Sequence, residues 1–159
     1  MPVSYLQQPY LLRASKTFTG AANLGAVGVN ELFTTSGAVQ IEGFWVRCTS
    51  DMVDAVDGAL FIIGHTAADD AYADFTGAFD LDTLDAGEGL SSDSVLSASA
   101  ENLAVEGLTA GPGYQAIFDN IIMTISTQAI TGGVLEFYLL WRPLSADGNI
   151  TLGAGMVAI

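Results

Sequence analysis

Residues 38–48 alternate apolar and polar side chains over the length of one strand, and this pattern constrains the fold more than any other feature of the chain. The segment reads A-V-Q-I-E-G-F-W-V-R-C, with Val39 and Ile41 on one face and Gln40 and Glu42 on the other. A period of two is typical of a half-buried β-strand and does not fit an amphipathic helix. The chain is therefore expected to be built on strands.

Further stretches rich in β-branched and aromatic residues extend this expectation. Strands are predicted over residues 27–34, 59–65, 120–127 and 134–142, with weaker ones over 15–19, 94–98, 103–106 and 150–157. Thr35-Ser36-Gly37 and Thr131-Gly132-Gly133 separate strong strands and predict hairpins. Helix signals are poor, and residues 69–75 have room for one helical turn. The predicted fold is all-β, an antiparallel β-sandwich or jelly roll.

The large apolar residues of the strongest strands are expected to form the core, since such side chains are most often buried. The predicted core residues are Ile41, Trp45, Leu60, Ile62, Ile122, Ile125, Phe137 and Leu139.

Charge excludes several classes of partner. The 159 residues carry 18 acidic and 4 basic side chains, a net charge of −14. Binding to nucleic acid or to an anionic membrane requires cationic side chains, so neither partner is expected. No apolar run reaches the roughly 18 residues of a membrane-spanning helix, and no secretory signal is visible. A single cysteine excludes an internal disulfide and favours folding in a reducing cytoplasm.

Acidic residues concentrate between positions 51 and 106, where 13 of the 18 lie. Within this region the candidate metal ligands are Asp80, Asp82, Asp85 and Glu88, because calcium prefers several carboxylate oxygens in a flexible loop. Their spacing departs from the EF-hand pattern: Asp85 stands where that loop requires glycine. A solvated acidic surface is the preferred interpretation, with no metal or cofactor expected.

Residues with catalytic potential are few. His65 follows an apolar run and has the chemistry of a general base if Asp69 or Asp70 lies nearby. Cys48 needs a histidine partner to act as a nucleophile, and its apolar strand favours a core position. His65 is interpreted as a hydrogen-bonded residue at a strand end, and no catalytic residue is assigned. The chain is not expected to be an enzyme.

Four aromatic residues, Phe44, Trp45, Tyr138 and Trp141, lie on predicted strands. Such rings are able to form a platform on which a sugar stacks, but on strands they more often fill a core or a subunit interface.

The first 14 residues differ from the rest in combining two prolines and two glutamines with several large apolar side chains. Residues 1–14 are predicted to form an extended arm, and residues 15–159 a single β-sandwich domain. The arm has too many apolar groups for a free tail and is expected to lie on a neighbouring subunit or a shell. Its predicted interface residues are Tyr5, Leu6, Tyr10, Leu11, Leu12 and Arg13.

Four stretches in order, KTFTGAANLGAVGV, LFTTSGAVQIEGFWVRCTSD, GALFIIGHTA and DNIIMTISTQAITGGVLEFYLLWRPLSADGNI, resemble small virion structural proteins of tailed bacteriophages. The resemblance is to proteins that decorate or cement the head, and it covers most of residues 16–151. It rests on a style of strands and turns and transfers no catalytic residue.

The resemblance implies a β-rich protein, made in the host cytoplasm, that assembles as a symmetric homo-oligomer on the outside of the capsid. A trimer that binds the major capsid protein is expected. The alternative is a carbohydrate- or receptor-binding module of a head fibre or tail. The acidic region is expected to face solvent, and attachment is expected to use the arm and the surroundings of Arg13, Lys16, Arg47 and Arg142.

Overall fold

Every secondary-structure element of the described chain is a strand. The computed structural model describes residues 8–56, 58–65, 79–80, 84–91, 94–96 and 115–159. Within them the strands are β1 (Tyr10–Thr17), β2 (Gly28–Ser36), β3 (Val39–Asp54), β4 (Leu60–His65), β5 (Phe79–Asp80), β6 (Gly89–Ser91), β7 (Ser94–Leu96), β8 (Gln115–Ile117), β9 (Ile121–Ser126), β10 (Ile130–Pro143), β11 (Asn149–Leu152) and β12 (Met156–Ala158).

The strands form two antiparallel sheets. The large sheet has the order β12-β1-β10-β3-β6-β7, with β8 also paired to β3, and the small sheet has the order β11-β2-β9-β4-β5. Together they make a β-sandwich, which confirms the predicted fold class. No helix of the described residues is long and apolar enough to cross a membrane.

Aromatic side chains from both sheets meet between them. Phe33 of β2, in the small sheet, makes edge-on contacts with Phe44 of β3 and Phe137 of β10, in the large sheet. Both ring-centroid distances are 6.5 Å, and Phe33 and Phe137 are fully buried. Edge-to-face pairs of this kind add to the free energy gained from burying apolar area. This cluster is the centre of the core.

Half of the predicted core residues belong to the core. Ile41, Ile125, Phe137 and Leu139 are buried as expected. Trp45, Leu60, Ile62 and Ile122 are partly buried and lie outside the core cluster, so their assignment to the core is wrong. In β4 and β9 the neighbours alternate with them: Phe61, Ile63, Ile121 and Met123 are the fully buried residues. Successive side chains of a strand point to opposite faces of the sheet. An assignment that is off by one residue therefore places outward-facing side chains in the core.

A β-bulge explains the position of Trp45. In the pairing of β3 with β10, Gly43 lies opposite Leu140 and Ile41 lies opposite Trp141, so Glu42 is an extra residue. An inserted residue shifts the alternation of the strand by one. As a result Ile41 and Phe44 both point into the core, and Trp45 points out. The alternation seen in residues 38–48 was correct only up to this bulge.

Neither predicted hairpin exists. β2 belongs to the small sheet and β3 to the large one, so Thr35-Ser36-Gly37 begins a crossing between sheets. β9 and β10 are likewise in different sheets, and Thr131-Gly132-Gly133 lies inside β10. Gly133 has φ +103°, and a Cβ there would lie 2.8 Å from the carbonyl oxygen of Asp51. The two glycines therefore serve the irregular pairing of β10 with β3 and not a turn.

The N-terminal prediction is corrected at its boundary. β1 begins at Tyr10 and pairs with β10 over its whole length, and Ala14–Lys16 also pair with β12. The proposed junction at residue 14 therefore lies within a strand of the large sheet. The predicted strand over residues 150–157 is two strands, β11 and β12, in different sheets. The arm residues 1–7, the helical turn at 69–75 and the strand at 103–106 lie outside the described residues.

Candidate functional site: the outer face of the large sheet

Cys48 is a buried residue of β3 and its thiol is chemically quiet. Its Sγ donates a hydrogen bond to the carbonyl oxygen of Ser50 at 3.1 Å. Burial raises the pKa of the thiol to about 11, and the nearby carboxylates of Asp51 and Glu88 add to the shift. A protonated thiol is neither a nucleophile nor a metal ligand. The backbone of His65 lies in the other sheet, and its side chain lies outside the described residues.

Cys48 is expected to react with a thiol reagent such as DTNB only when the chain unfolds. At pH 8 a thiol of pKa 11 has about 100-fold less thiolate than one of pKa 9, and burial slows access further. The measurement is the labelling rate in buffer against that in 6 M guanidinium chloride. Labelling in buffer at the denatured rate would contradict the buried position.

The acidic loop has a structural role in the part that is described. Leu84–Glu88 runs beside β3, where the backbone N–H of Asp85 donates to Glu88 Oε2 and that of Ala86 donates to Asp51 Oδ1, both at 2.8 Å. Two carboxylates thus satisfy backbone amides of the loop. Of the predicted ligands, Asp82 and the side chain of Asp80 lie outside the described residues. Among the described ones, no three His, Cys, Asp or Glu side chains are grouped to hold a metal ion.

Lys16, predicted to lie near the attachment surface, instead points into the sandwich. The side chain is fully buried, and its Nζ donates hydrogen bonds of 2.9 Å to the carbonyl oxygens of Glu31 and Ala154. Glu31 belongs to β2, and Ala154 to the turn between β11 and β12, so the amine ties the two sheets together. Burial lowers the pKa of Lys16 to about 8, against the opposing effect of Glu31.

The free energy of unfolding is expected to rise from pH 8 to pH 9 because of Lys16. The folded chain releases this proton near pH 8, whereas the unfolded chain keeps it to about 10.5, so deprotonation favours the folded state in this interval. The expected gain is about 1 kcal/mol per pH unit. The raised pKa of Cys48 acts in the opposite direction as the pH approaches and passes 9, where the unfolded chain loses its thiol proton first; this smaller effect is the same in both proteins compared below. Urea denaturation at both pH values tests this, with Lys16→Met as the comparison; an equal rise in that variant would contradict the assignment.

The other three cations project from the outer face of the large sheet. Arg13 of β1 lies opposite Tyr138 of β10, and Arg47 of β3 lies opposite Glu136 of β10. Arg142 is on β10 in the same alternation. Side chains two residues apart share a face, so all three arginines project from one side of the sheet. Three of the four basic residues of a chain with net charge −14 are thus on one surface.

A row of side chains crosses the strands at the centre of this surface. Trp45 and Tyr138 are opposite each other, and their rings are stacked at 5.5 Å between centroids and 7° between planes. The guanidinium carbon of Arg13 lies 5.3 Å from the centre of the Tyr138 ring, a cation–π contact. Burial raises the pKa of Tyr138, and its hydroxyl donates to Glu136 Oε2 at 2.6 Å. Tyr138, at the centre of the row, is therefore held by Trp45 on one side, Arg13 on the other and Glu136 at its hydroxyl.

Exposed apolar side chains lie beside this row. Leu11 of β1 is 53% exposed, and Val157 of β12, opposite Ser15, is 63% exposed. Ile159 follows β12, and its N–H approaches the carbonyl oxygen of Arg13. We call this surface the Arg–aromatic face, defined by Leu11, Arg13, Trp45, Arg47, Glu136, Tyr138, Leu140, Arg142, Val157 and Ile159.

Two guanidinium groups of the face have no carboxylate partner among the described residues. Arg142 forms an ion pair with Glu42, the bulge residue of β3. Arg13 rests on the Tyr138 ring, and Arg47 is exposed. Three arginine side chains stand against Glu136 on the face and Glu42 beside it, so the side chains of this surface carry a net positive charge on a strongly acidic chain.

The predicted interface residues separate in the structure. Leu11 and Arg13 belong to the Arg–aromatic face, whereas Leu12 is partly buried and packs against the core. Tyr10 is 51% exposed at the rim of the sandwich, and its ring lies against Trp141, with 5.1 Å between ring centroids. Tyr5 and Leu6 lie outside the described residues. The sequence analysis predicted an interface at the arm. It did not place Arg13 near Trp45, Tyr138 and Arg47, because that placement depends on the register of three strands.

No protein-family model, curated protein or solved structure matches this chain. The Arg–aromatic face therefore has to be interpreted from its own chemistry.

Proposed function

We propose that this chain is a structural protein of a tailed-bacteriophage particle, a homo-oligomeric decoration protein that binds the shell of the major capsid protein from outside and stabilises the head. The observation that carries the proposal is the composition of the Arg–aromatic face. Tyr, Trp and Arg are the residues most enriched where proteins bind one another, while Lys is depleted there. A broad, partly apolar face with several arginines is suited to contact another protein of the particle, which includes a neighbouring subunit of the homo-oligomer.

The roles of the reactive residues support a structural protein. The Cys48 thiol is buried, and Glu88 and Asp51 bind backbone amides. Lys16 joins the two sheets through two carbonyl oxygens. These groups strengthen the sandwich, as a protein that reinforces a shell requires.

The alternative, a carbohydrate-binding module, has less support. Stacking a sugar requires an open ring face, but Tyr138 lies between Trp45 and Arg13 in the row described above. Phe44 and Trp141, the other two members of the predicted platform, are buried. The four rings therefore do not form one exposed platform.

The proposal is tested by measuring the chain in gradient-purified phage particles. Quantitative mass spectrometry should find it in a fixed ratio to the major capsid protein, and particles lacking it should lose their contents at a lower temperature. Adding the recombinant protein back should restore the thermal resistance. In light scattering, a trimer should have about three times the chain mass of 16.5 kDa. Absence from purified particles would overturn the proposal.

A further inference from the structure

We propose that the Arg–aromatic face receives the acidic end of a second copy of this chain, so that subunits associate head to tail. The acidic end is defined by Asp51, Asp54, Asp85 and Glu88, with the exposed side chains of Val53 and Val56 beside them. This inference deepens the proposed function, because it names the subunit contact of the homo-oligomer, and it departs from the expectation that the whole acidic region faces solvent.

The acidic end follows the last part of β3, from Glu88 beside Cys48 to Asp54. Asp51 and Asp54 are the last part of β3, and the loop with Asp85 and Glu88 runs next to it, where the N–H of Met52 donates to the carbonyl oxygen of Leu84. Asp51 and Asp85 are both exposed. Each of the other two carboxylates, Asp54 and Glu88, accepts a backbone hydrogen bond that holds it in place. This end therefore presents fixed negative charge.

The two regions do not satisfy each other within one chain. Arg47 and Asp51 are four residues apart on β3, about 13 Å at the rise of a strand. Glu88 is closer, since it precedes Gly89, which lies opposite Arg47, but its carboxylate accepts a hydrogen bond from the N–H of Asp85. The described residues contain no ion pair between the two regions. A contact that pairs them requires another molecule.

Both regions have exposed aliphatic side chains beside their charged groups. Leu11 and Val157 lie beside Arg13 on the face, and Val53 and Val56 are 52% and 65% exposed beside Asp51. Apolar burial supplies most of the free energy of association, and opposite charges set the register. Every copy of the chain carries the acidic end, whose negative charge complements the arginines of the face. A second copy is therefore the partner proposed.

The charges also select the symmetry. Two copies related by a twofold axis through the Arg–aromatic face would place arginine against arginine, and through the acidic end carboxylate against carboxylate, both at a cost. Contact between unlike regions is heterologous and closes into a ring when the rotation permits. Such a ring is consistent with the trimer expected from the sequence.

The test is sedimentation equilibrium of the purified full chain over a range of concentrations. Arg13→Gln/Arg47→Gln should weaken self-association at least tenfold, since each removed guanidinium leaves a carboxylate of the neighbour without its partner. Asp147→Asn changes one charge at an exposed position outside both regions; it is the control and should change the constant by less than about threefold. Raising NaCl from 50 to 500 mM should weaken the wild-type oligomer.

A charge exchange separates a direct contact from a loss of folding. Arg47→Glu and Asp85→Lys should each weaken association, and the protein that carries both changes should recover a substantial part of it. Near-UV circular dichroism verifies that every variant is folded. A monomeric wild-type chain, an oligomer unaffected by the arginine changes, or no recovery in the combined variant would each overturn the inference. An oligomer with the expected responses in a chain absent from phage particles would refute the proposed function and leave this inference standing.

Discussion

Replacing Phe137 by alanine is expected to lower the free energy of unfolding by about 3–5 kcal/mol, the cost of removing a large aromatic side chain from a core. Phe137 is fully buried and contacts Phe33 of the small sheet and Phe44 of its own sheet. The variant therefore leaves a cavity where the two sheets meet. Equilibrium denaturation in urea measures the loss.

Phe118→Ala is the matched control, since it makes the same change at a side chain that is 70% exposed. A surface substitution of this kind is expected to change stability by no more than about 0.5 kcal/mol. Equal losses in the two variants would show that Phe137 is not at the centre of the core.

Deleting residues 1–14 is expected to abolish the fold. The deletion removes Tyr10–Ala14, more than half of β1, which lies between β10 and β12 in the large sheet. Its loss exposes the backbone of β10 and the apolar side chains that Leu12 and fully buried Ala14 cover. Near-UV circular dichroism and the cooperativity of thermal unfolding measure the effect.

Deletion of residues 1–9 is the control for this truncation. The difference between the two truncated proteins isolates Tyr10–Ala14 from whatever the preceding residues contribute. If the chain without residues 1–14 unfolds as cooperatively as the chain without residues 1–9, then β1 is dispensable. That result would restore the arm boundary expected from the sequence.

The distribution of charged residues along the chain can be read from the sequence, whereas their arrangement on the surface depends on the fold. The scarcity of cations and the acidic segment between residues 51 and 106 are properties of composition alone. Arg13, Arg47 and Arg142 are far apart in sequence and project from one face only because β1, β10 and β3 are adjacent in the large sheet. Lys16 is close to Arg13 in sequence, but it has the opposite parity on β1 and is therefore buried.

The pairing of strands was less predictable than their existence. The turn residues at Ser36 and Gly37 are equally suited to a hairpin and to a crossing between sheets, because both require a tight change of direction. Which one forms depends on the strand that lies beside β2, and β9 and β11 take those places. Such choices are made by contacts distant in sequence.

The sequence by itself determined that the chain is a β-protein, because the alternation of apolar and polar residues and the frequent β-branched side chains are local properties of each segment. It also determined the inward positions of Phe137 and Leu139, which lie in a regular stretch of strand where parity holds. The tertiary structure decided the rest. The bulge at Glu42 moved Trp45 to the outer face, and the order of β1, β10 and β3 brought Arg13, Tyr138 and Trp45 into one row. The physical reason is that register and sheet order depend on non-local packing, and a shift of one residue exchanges the two faces of a strand.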